Sequence, residues 1–374
     1  MKFCISFGFF NLKYAIFIIV FIFITLYNEL IFEGNINENV GKTTLLDPLL
    51  FYIGYSLCLI PLLIKKTVSK IKVEIKKNLK KQNRGLITYI YNPGQPNLKI
   101  KDLSFIFIIS LMLIIYDFFD LLEEKITHNE EIDYYIDNNY FFIEVLIWFL
   151  FSKFALKIKY YKHQWVSFYG IMAIGLFRWI YIYFSININY NRWNNEFYIF
   201  LFELFGIVIN SICYGYLKGL MEFKFISPFK VCSIIGIINV PIILIIDFII
   251  SSIPCNNNIF CQKKENKYYK IIGIFKNLDI HEYFLIIIYT FLYGISGILI
   301  YQTMNDFSFY HLLIPINIVE FVEYLIYYDS KINNYFDFII ILLSYIIEFL
   351  MYLIYLEIIE LNFCGLNKNK YFTF

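Results

Sequence analysis

Charge is scarce in this chain. Asp, Glu, Lys and Arg make up 17% of its 374 residues, where about a quarter is usual for a soluble domain. The hydrophobic share is 59% and the mean hydropathy is +0.61, more apolar surface than one soluble core can hide. That shortage of charge excludes a soluble globular protein. A net charge of only +2 at pH 7 excludes a strongly basic nucleic-acid binder, so no nucleic acid is expected as a partner. Histidine is scarcer still: His128, His163, His281 and His311 stand far apart, and none falls in an H-E-x-x-H or similar metal spacing. No Gly-x-Ser-x-Gly elbow, Walker loop, Gly-rich dinucleotide loop or Asp-His-His-Cys-type cluster occurs either. The sequence therefore offers no enzyme constellation, no metal site and no cofactor. No loop is long enough for a nucleotide-binding domain, which excludes an ATP-driven pump. The excess of Ile, Phe, Tyr, Asn and Lys over Gly, Pro and Ala reads as nucleotide-composition bias, so a single aromatic carries less meaning than usual.

What is abundant is long apolar runs. A transmembrane helix needs about 20 such residues, and charged punctuation separates ten candidates: 14–32, 46–64, 102–122, 140–158, 164–184, 197–217, 228–253, 281–303, 308–327 and 336–358. The first is too long for a signal-peptide core and lacks a small-residue cleavage site, so it is expected to be retained. The fold class expected is all-α, a polytopic protein embedded in the lipid bilayer as one transmembrane domain. With ten spans both termini lie on one side, and the Lys/Arg distribution says which. An N-terminus in the cytosol puts 21 of the 32 basic residues on the inside and 9 on the outside. Much of the inside total lies in the basic loop 65–101, which also suits a surface helix touching anionic lipid. Between an endomembrane organelle and the plasma membrane the sequence does not choose. The acidic loop 123–139 and the luminal or extracellular loop 254–280 lie opposite, and in the latter Cys255 and Cys261 could form a disulfide.

Proline spacing suggests duplication. Span 2 opens with Asp47-Pro48 and carries Pro61; span 7 opens with Ser227-Pro228 and carries Pro241 at the same interval. Pro at a first helical position is a helix start, and an interior Pro removes a backbone hydrogen bond. The turns after spans 4 and 9 also match in length. Two five-helix repeats are expected, about 14–184 and 197–358, and because five is odd the second runs inverted, as in secondary transporters.

A resemblance points the same way. The stretch Phe141 to Phe177 has a helix ending Lys153-x-x-Leu156-Lys157, a short turn, Gln164-Trp165 and a helix carrying Gly170 and Gly175. Ser227-Pro228 opens the seventh helix, and the tenth runs into LEIIELNFCGLN (356–367). The whole layout resembles the drug/metabolite transporter superfamily, which includes nucleotide-sugar, triose-phosphate and chloroquine-resistance-type carriers. The resemblance implies an inverted-repeat carrier whose cavity is built chiefly outside the fifth and tenth helices. No subfamily signature names a substrate.

Ionisable groups inside a bilayer are costly, roughly 2.5 to 3.5 kcal/mol each on insertion scales, and so mark candidate sites. Asp117, Asp120, Glu144 and Asp247 lie toward span ends. Lys153, Asn210, Asn317, Glu320 and Glu348 lie nearest mid-span, with Arg178 and Glu203 about 9 Å in at 1.5 Å per residue. These seven either line a substrate cavity or pair across helices, for example Lys153 with Glu320 or Glu348. Carboxylates outnumber the embedded bases, which favours a cationic or neutral solute, or proton coupling, over a phosphate. Pro61, Pro241 and Pro315 are hinge candidates. Gly206, Gly215, Gly219, Gly294 and Gly297 permit close helix approach. A secondary transporter of a small solute is expected; a channel, membrane enzyme or scaffold without transport activity is the alternative. The oligomeric state stays open, a homodimer included.

Overall fold

The computed structural model describes residues 5–7, 12–28, 45–64, 100–127, 141–154, 159–185, 193–224, 226–255, 271–275, 278–306, 310–328, 335–356 and 358–361, apart from a few single positions. Ten long helices run through them: α1 Leu12–Asn28, α2 Leu46–Leu57, α3 Ile100–Thr127, α4 Phe141–Phe154, α5 Lys162–Ser185, α6 Trp193–Lys224, α7 Pro228–Ser252, α8 Ile280–Asp306, α9 Tyr310–Tyr328 and α10 Tyr335–Tyr355. Each coincides with one of the ten apolar runs. A five-residue helix, Ile271–Phe275, precedes α8. The all-helical expectation needs one amendment: β1, Ile5–Phe7, pairs antiparallel with β2, Ile359–Leu361, with Ser6 opposite Glu360.

Six segments are long and apolar enough to cross a membrane: 46–64, 100–119, 204–221, 228–252, 280–306 and 338–355. The chain is thus an integral membrane protein by length and composition. The apolar stretches of α1 and α9 are shorter, Tyr14–Tyr27 and Tyr310–Val322. α4 has only 14 residues, and α5 is diluted by Arg178, two tryptophans and three tyrosines.

The chain divides into two compact units. Unit 1 comprises 1–30, 115–215 and 306–374; unit 2 comprises 31–114 and 216–305. The division falls inside α3 and inside α6.

In unit 1, α5 packs along α10 and α1 along α9. Gly175 of α5 lies against Phe142 of α4, and Phe168 stacks on Phe149 at 3.8 Å between centroids. These two contacts run in opposite chain order, so α4 and α5 are antiparallel. Tyr324 of α9 touches Tyr345 and Phe338 of α10, while Tyr310 meets Tyr355, so α9 and α10 are antiparallel too. Trp148 and Phe151 of α4 lie against Tyr214 and Gly215 of α6.

In unit 2 the main pair is α2 with α7. Cys58 meets Cys232, their sulfurs 3.5 Å apart, and Gly236 sits under the backbone of Tyr52, Tyr55 and Ser56. As α7 advances α2 retreats, so the two are antiparallel. Gly54 presses against the backbone of Thr290 and Gly294 on α8, and Gly297 lies against the Tyr55 ring. These small residues let helix axes approach where larger ones would hold them apart.

Candidate functional site

Three of the seven cavity candidates come together in unit 1. Arg178, on the α5 face turned to α10, places Nη1 2.6 Å from Oε2 of Glu348, and both side chains are wholly buried. The guanidinium carbon lies 4.1 Å from the centroid of Tyr345, one helical turn before Glu348. Tyr352, one turn after it, donates its hydroxyl to Glu348 Oε1 at 3.0 Å. Both oxygens of Glu348 are thereby engaged, and the positive charge rests between a carboxylate and an aromatic face. Arg178 is still not saturated. Its Nε and Nη2 are buried and make no hydrogen bond among the described residues. Glu320 of α9 is near enough to act electrostatically on Arg178 and on Tyr352. It is buried, as is Asn317 one turn before it on the same face. The cluster thus holds one guanidinium against two carboxylates, lined with phenols.

Lys153 and Asn210 lie elsewhere. Lys153 is in the last turn of α4, exposed, with its ammonium 4.4 Å from the Trp165 ring and 5.6 Å from that of Phe154. Arg178, rather than Lys153, takes Glu348. Asn210 is half-buried on α6. Glu203 is on α6 as well, and its side chain lies outside the described residues.

The three prolines behave differently. Pro61 lacks the N–H that would reach Leu57, and α2 breaks there: Cys58 forms a turn with its N–H on the Tyr55 carbonyl at 3.1 Å before helical geometry resumes. Pro241 sits exposed in an unbroken α7. Pro315 is buried in α9 and frees the carbonyl of His311, four residues back. Tyr14 of α1 donates its hydroxyl to that carbonyl at 2.5 Å and sets its ring edge-on to His311. The proline defect is therefore the docking point of a neighbouring helix. Cys255 is disulfide-bonded; Cys261 lies outside the described residues, as does most of the basic loop 65–101.

Several polar residues in these arrangements were not read as site candidates from sequence: Tyr14, Tyr352, and in unit 2 Tyr289 and Tyr293 with Asp47, which was read only as a helix start. Tyr289 donates to Asp47 Oδ1 at 2.5 Å and Tyr293 at 3.3 Å. Among 34 tyrosines, an i, i+4 pair has no distinguishing mark; only its carboxylate partner from another helix gives it one. Among the described residues no three His, Cys, Asp or Glu side chains are grouped to hold a metal ion. No family model matches the chain, and no curated protein matches it.

Proposed function

We propose that the protein is a secondary transporter of a small solute: ten crossing helices in two inverted five-helix repeats, 14–184 and 197–358, working by alternating access. The observation that carries this reading is the pattern of helix partners. Among the helix pairs above, adding five to each helix number converts α4–α5 into α9–α10 and α1–α9 into α6–α4, and returns α2–α7 and α5–α10 to themselves; the α2–α8 contact falls outside this correspondence. Duplication of a five-helix ancestor produces that closure, because each copy inherits its neighbour. Helix directions agree with ten alternating crossings: α2–α7, α4–α5 and α9–α10 pair odd with even and are antiparallel. The β1–β2 ribbon joins segments beside the two termini, as an even number of crossings allows, and the Lys/Arg bias argues that this side is cytosolic. The likeness to drug/metabolite transporters belongs to the same proposal.

In that scheme Arg178 and Glu348 clamp the fifth and tenth helices, which lie outside the cavity of the superfamily it resembles. Glu320 is the proton carrier. Protonated, it leaves the cluster neutral; ionised, it competes for the guanidinium donors that Glu348 leaves unused. Uptake into proteoliposomes, measured for amines, amino acids, nucleotide sugars and phosphates with and without a pH gradient, tests this. Gradient-dependent uptake of at least one class is expected, and Glu320→Gln should remove the gradient dependence while uptake down a solute gradient persists. No uptake of any class by folded protein would favour the alternative of a polytopic protein without transport activity. Reporter tags that placed the two termini on opposite sides of the membrane would dispose of the inverted repeat.

A further inference from the structure

Unit 1 has a basic corner outside the Arg178 cluster. The passage from α4 into α5 reads KFALKIKYYK (153–162), four lysines and no acid, and no acidic residue stands between Glu144 and Glu196. Lys153, Lys159 and Lys162 are exposed, and Lys157 lies outside the described residues. None of the three makes an ion pair among the described residues. Packing fixes the turn that carries them. Tyr160 stacks on Phe149 at 4.3 Å between centroids and shares a hydrogen bond with Tyr310, their hydroxyls 2.9 Å apart. Gln164 Oε1 accepts the Tyr161 N–H at 2.9 Å and so caps the start of α5. Trp165 lies edge-on to Phe149 at 4.8 Å, and the Lys153 ammonium rests 4.4 Å from the Trp165 centroid. The ring holds one side of that ammonium and leaves its N–H donors to a ligand.

Beside the lysines the surface turns apolar: Phe154, Val166 and Tyr169 are 69%, 48% and 62% exposed. Cations next to exposed apolar side chains, with Trp and Tyr at the boundary, suit the edge of a bilayer. A soluble polyanion would satisfy the lysines and leave the apolar side chains unmet. A zwitterionic phospholipid would cover the apolar side chains, but its own ammonium already answers its phosphate. A phospholipid of net negative charge meets both features, its phosphate on the lysines and its acyl chains along the apolar face. We infer that Lys153, Lys159 and Lys162, with the Trp165 ring and the apolar face beside it, form a binding site for an acidic phospholipid. The site rests on the reading that α4 and α5 cross the bilayer, and not on transport. The competing account is that these lysines only anchor the turn in water, with no preference among lipids.

Quenching of Trp165 fluorescence by brominated phospholipids separates the two, because bromine on an acyl chain quenches an indole that it touches. The full chain is placed in phosphatidylcholine vesicles containing rising fractions of dibrominated phosphatidylserine or dibrominated phosphatidylcholine, and the difference from Trp165→Phe gives the Trp165 signal. Phosphatidylserine is expected to occupy the place beside Trp165 about tenfold better than phosphatidylcholine. Lys153→Gln should weaken that preference by about threefold or more, and replacing Lys153, Lys159 and Lys162 together by Gln should abolish it. Lys76→Gln, Lys77→Gln and Lys80→Gln together remove the same charge from the basic loop and should leave it unchanged. If the first triple variant does not fold, the two lipids on the unaltered chain and the Lys153→Gln variant still decide. A preference kept when the lysines are replaced, or an equal loss from the replacements at 76, 77 and 80, would overturn the inference. So would a loss in inorganic phosphate that sodium chloride of equal ionic strength does not match, which would mark a site for soluble phosphate. Equal quenching by both lipids would remove the site and leave the crossing of α4 and α5; no quenching by either would remove both.

Discussion

The pair α5–α10 in unit 1 and the pair α2–α7 in unit 2 solve one problem in different ways. In lipid, helices gain little from hiding apolar surface against each other, so something else must hold them. In unit 1 that is side-chain chemistry: a wholly buried Arg178–Glu348 ion pair with Tyr345 and Tyr352 around it. In unit 2 it is backbone proximity. A Cβ added to Gly236 would meet the Tyr52 oxygen at 2.6 Å, and one on Gly54 the Gly294 nitrogen at 2.7 Å. The glycines of unit 1 face side chains instead, Gly170 against Met351 and Gly175 against Phe142. Unit 1 should therefore be sensitive to charge and forgiving of volume, and unit 2 the reverse.

The largest effect should come from Glu348→Ala. It leaves a guanidinium buried without its counter-charge, at a cost of about 3 to 5 kcal/mol, read as a lowered unfolding temperature in detergent. Arg178→Met combined with Glu348→Leu should recover most of that loss, since an apolar pair of similar volume removes the orphaned charge. A double variant as unstable as the single would mean that the ion pair is not what joins α5 to α10. Next come Gly54→Ala and Gly236→Ala, where the new methyl meets backbone that cannot swing aside; about 1 to 3 kcal/mol is expected for such overpacking. Gly170→Ala should cost less, because the Met351 side chain can move. Equal losses at Gly170 and Gly236 would erase the contrast between the units. The smallest effect is that of Tyr14→Phe, about 1 kcal/mol for the bond to the His311 carbonyl. In a Pro315→Ala background that carbonyl regains a helical partner, so Tyr14→Phe should then cost close to nothing; an unchanged cost would sever the tie between the proline and the tyrosine.

Much of the helix layout was legible because bilayer thickness sets a length that sequence must meet. Pro228 begins α7 as read, since Pro is suited to a helix start and unsuited to a helix interior. The end of α10 was read three residues too long, because apolar residues continue past the point where the helix stops. The prolines show the limit of local reasoning. Pro61 and Pro241 occupy matching positions, yet only α2 breaks, and it breaks at Cys58 where α7 and α8 both reach the thiol. Lys153 was read as mid-span, lining a cavity or pairing with Glu320 or Glu348; it is Arg178 that meets Glu348. Charge alone made both bases candidates, and only helix rotation chose between them.

Composition and the placing of charges by themselves determined that this is a membrane protein whose apolar runs match the ten long helices among the described residues, because each ionisable residue in a bilayer costs enough to be excluded from most positions. The tertiary structure decided which of the tolerated polar groups meet: Arg178 with Glu348, Tyr14 with the carbonyl that Pro315 frees, Tyr289 and Tyr293 with Asp47. Those meetings join residues from about 170 to 300 positions apart in the chain, set by axial shift and rotation between helices, and periodicity within one helix carries no record of either.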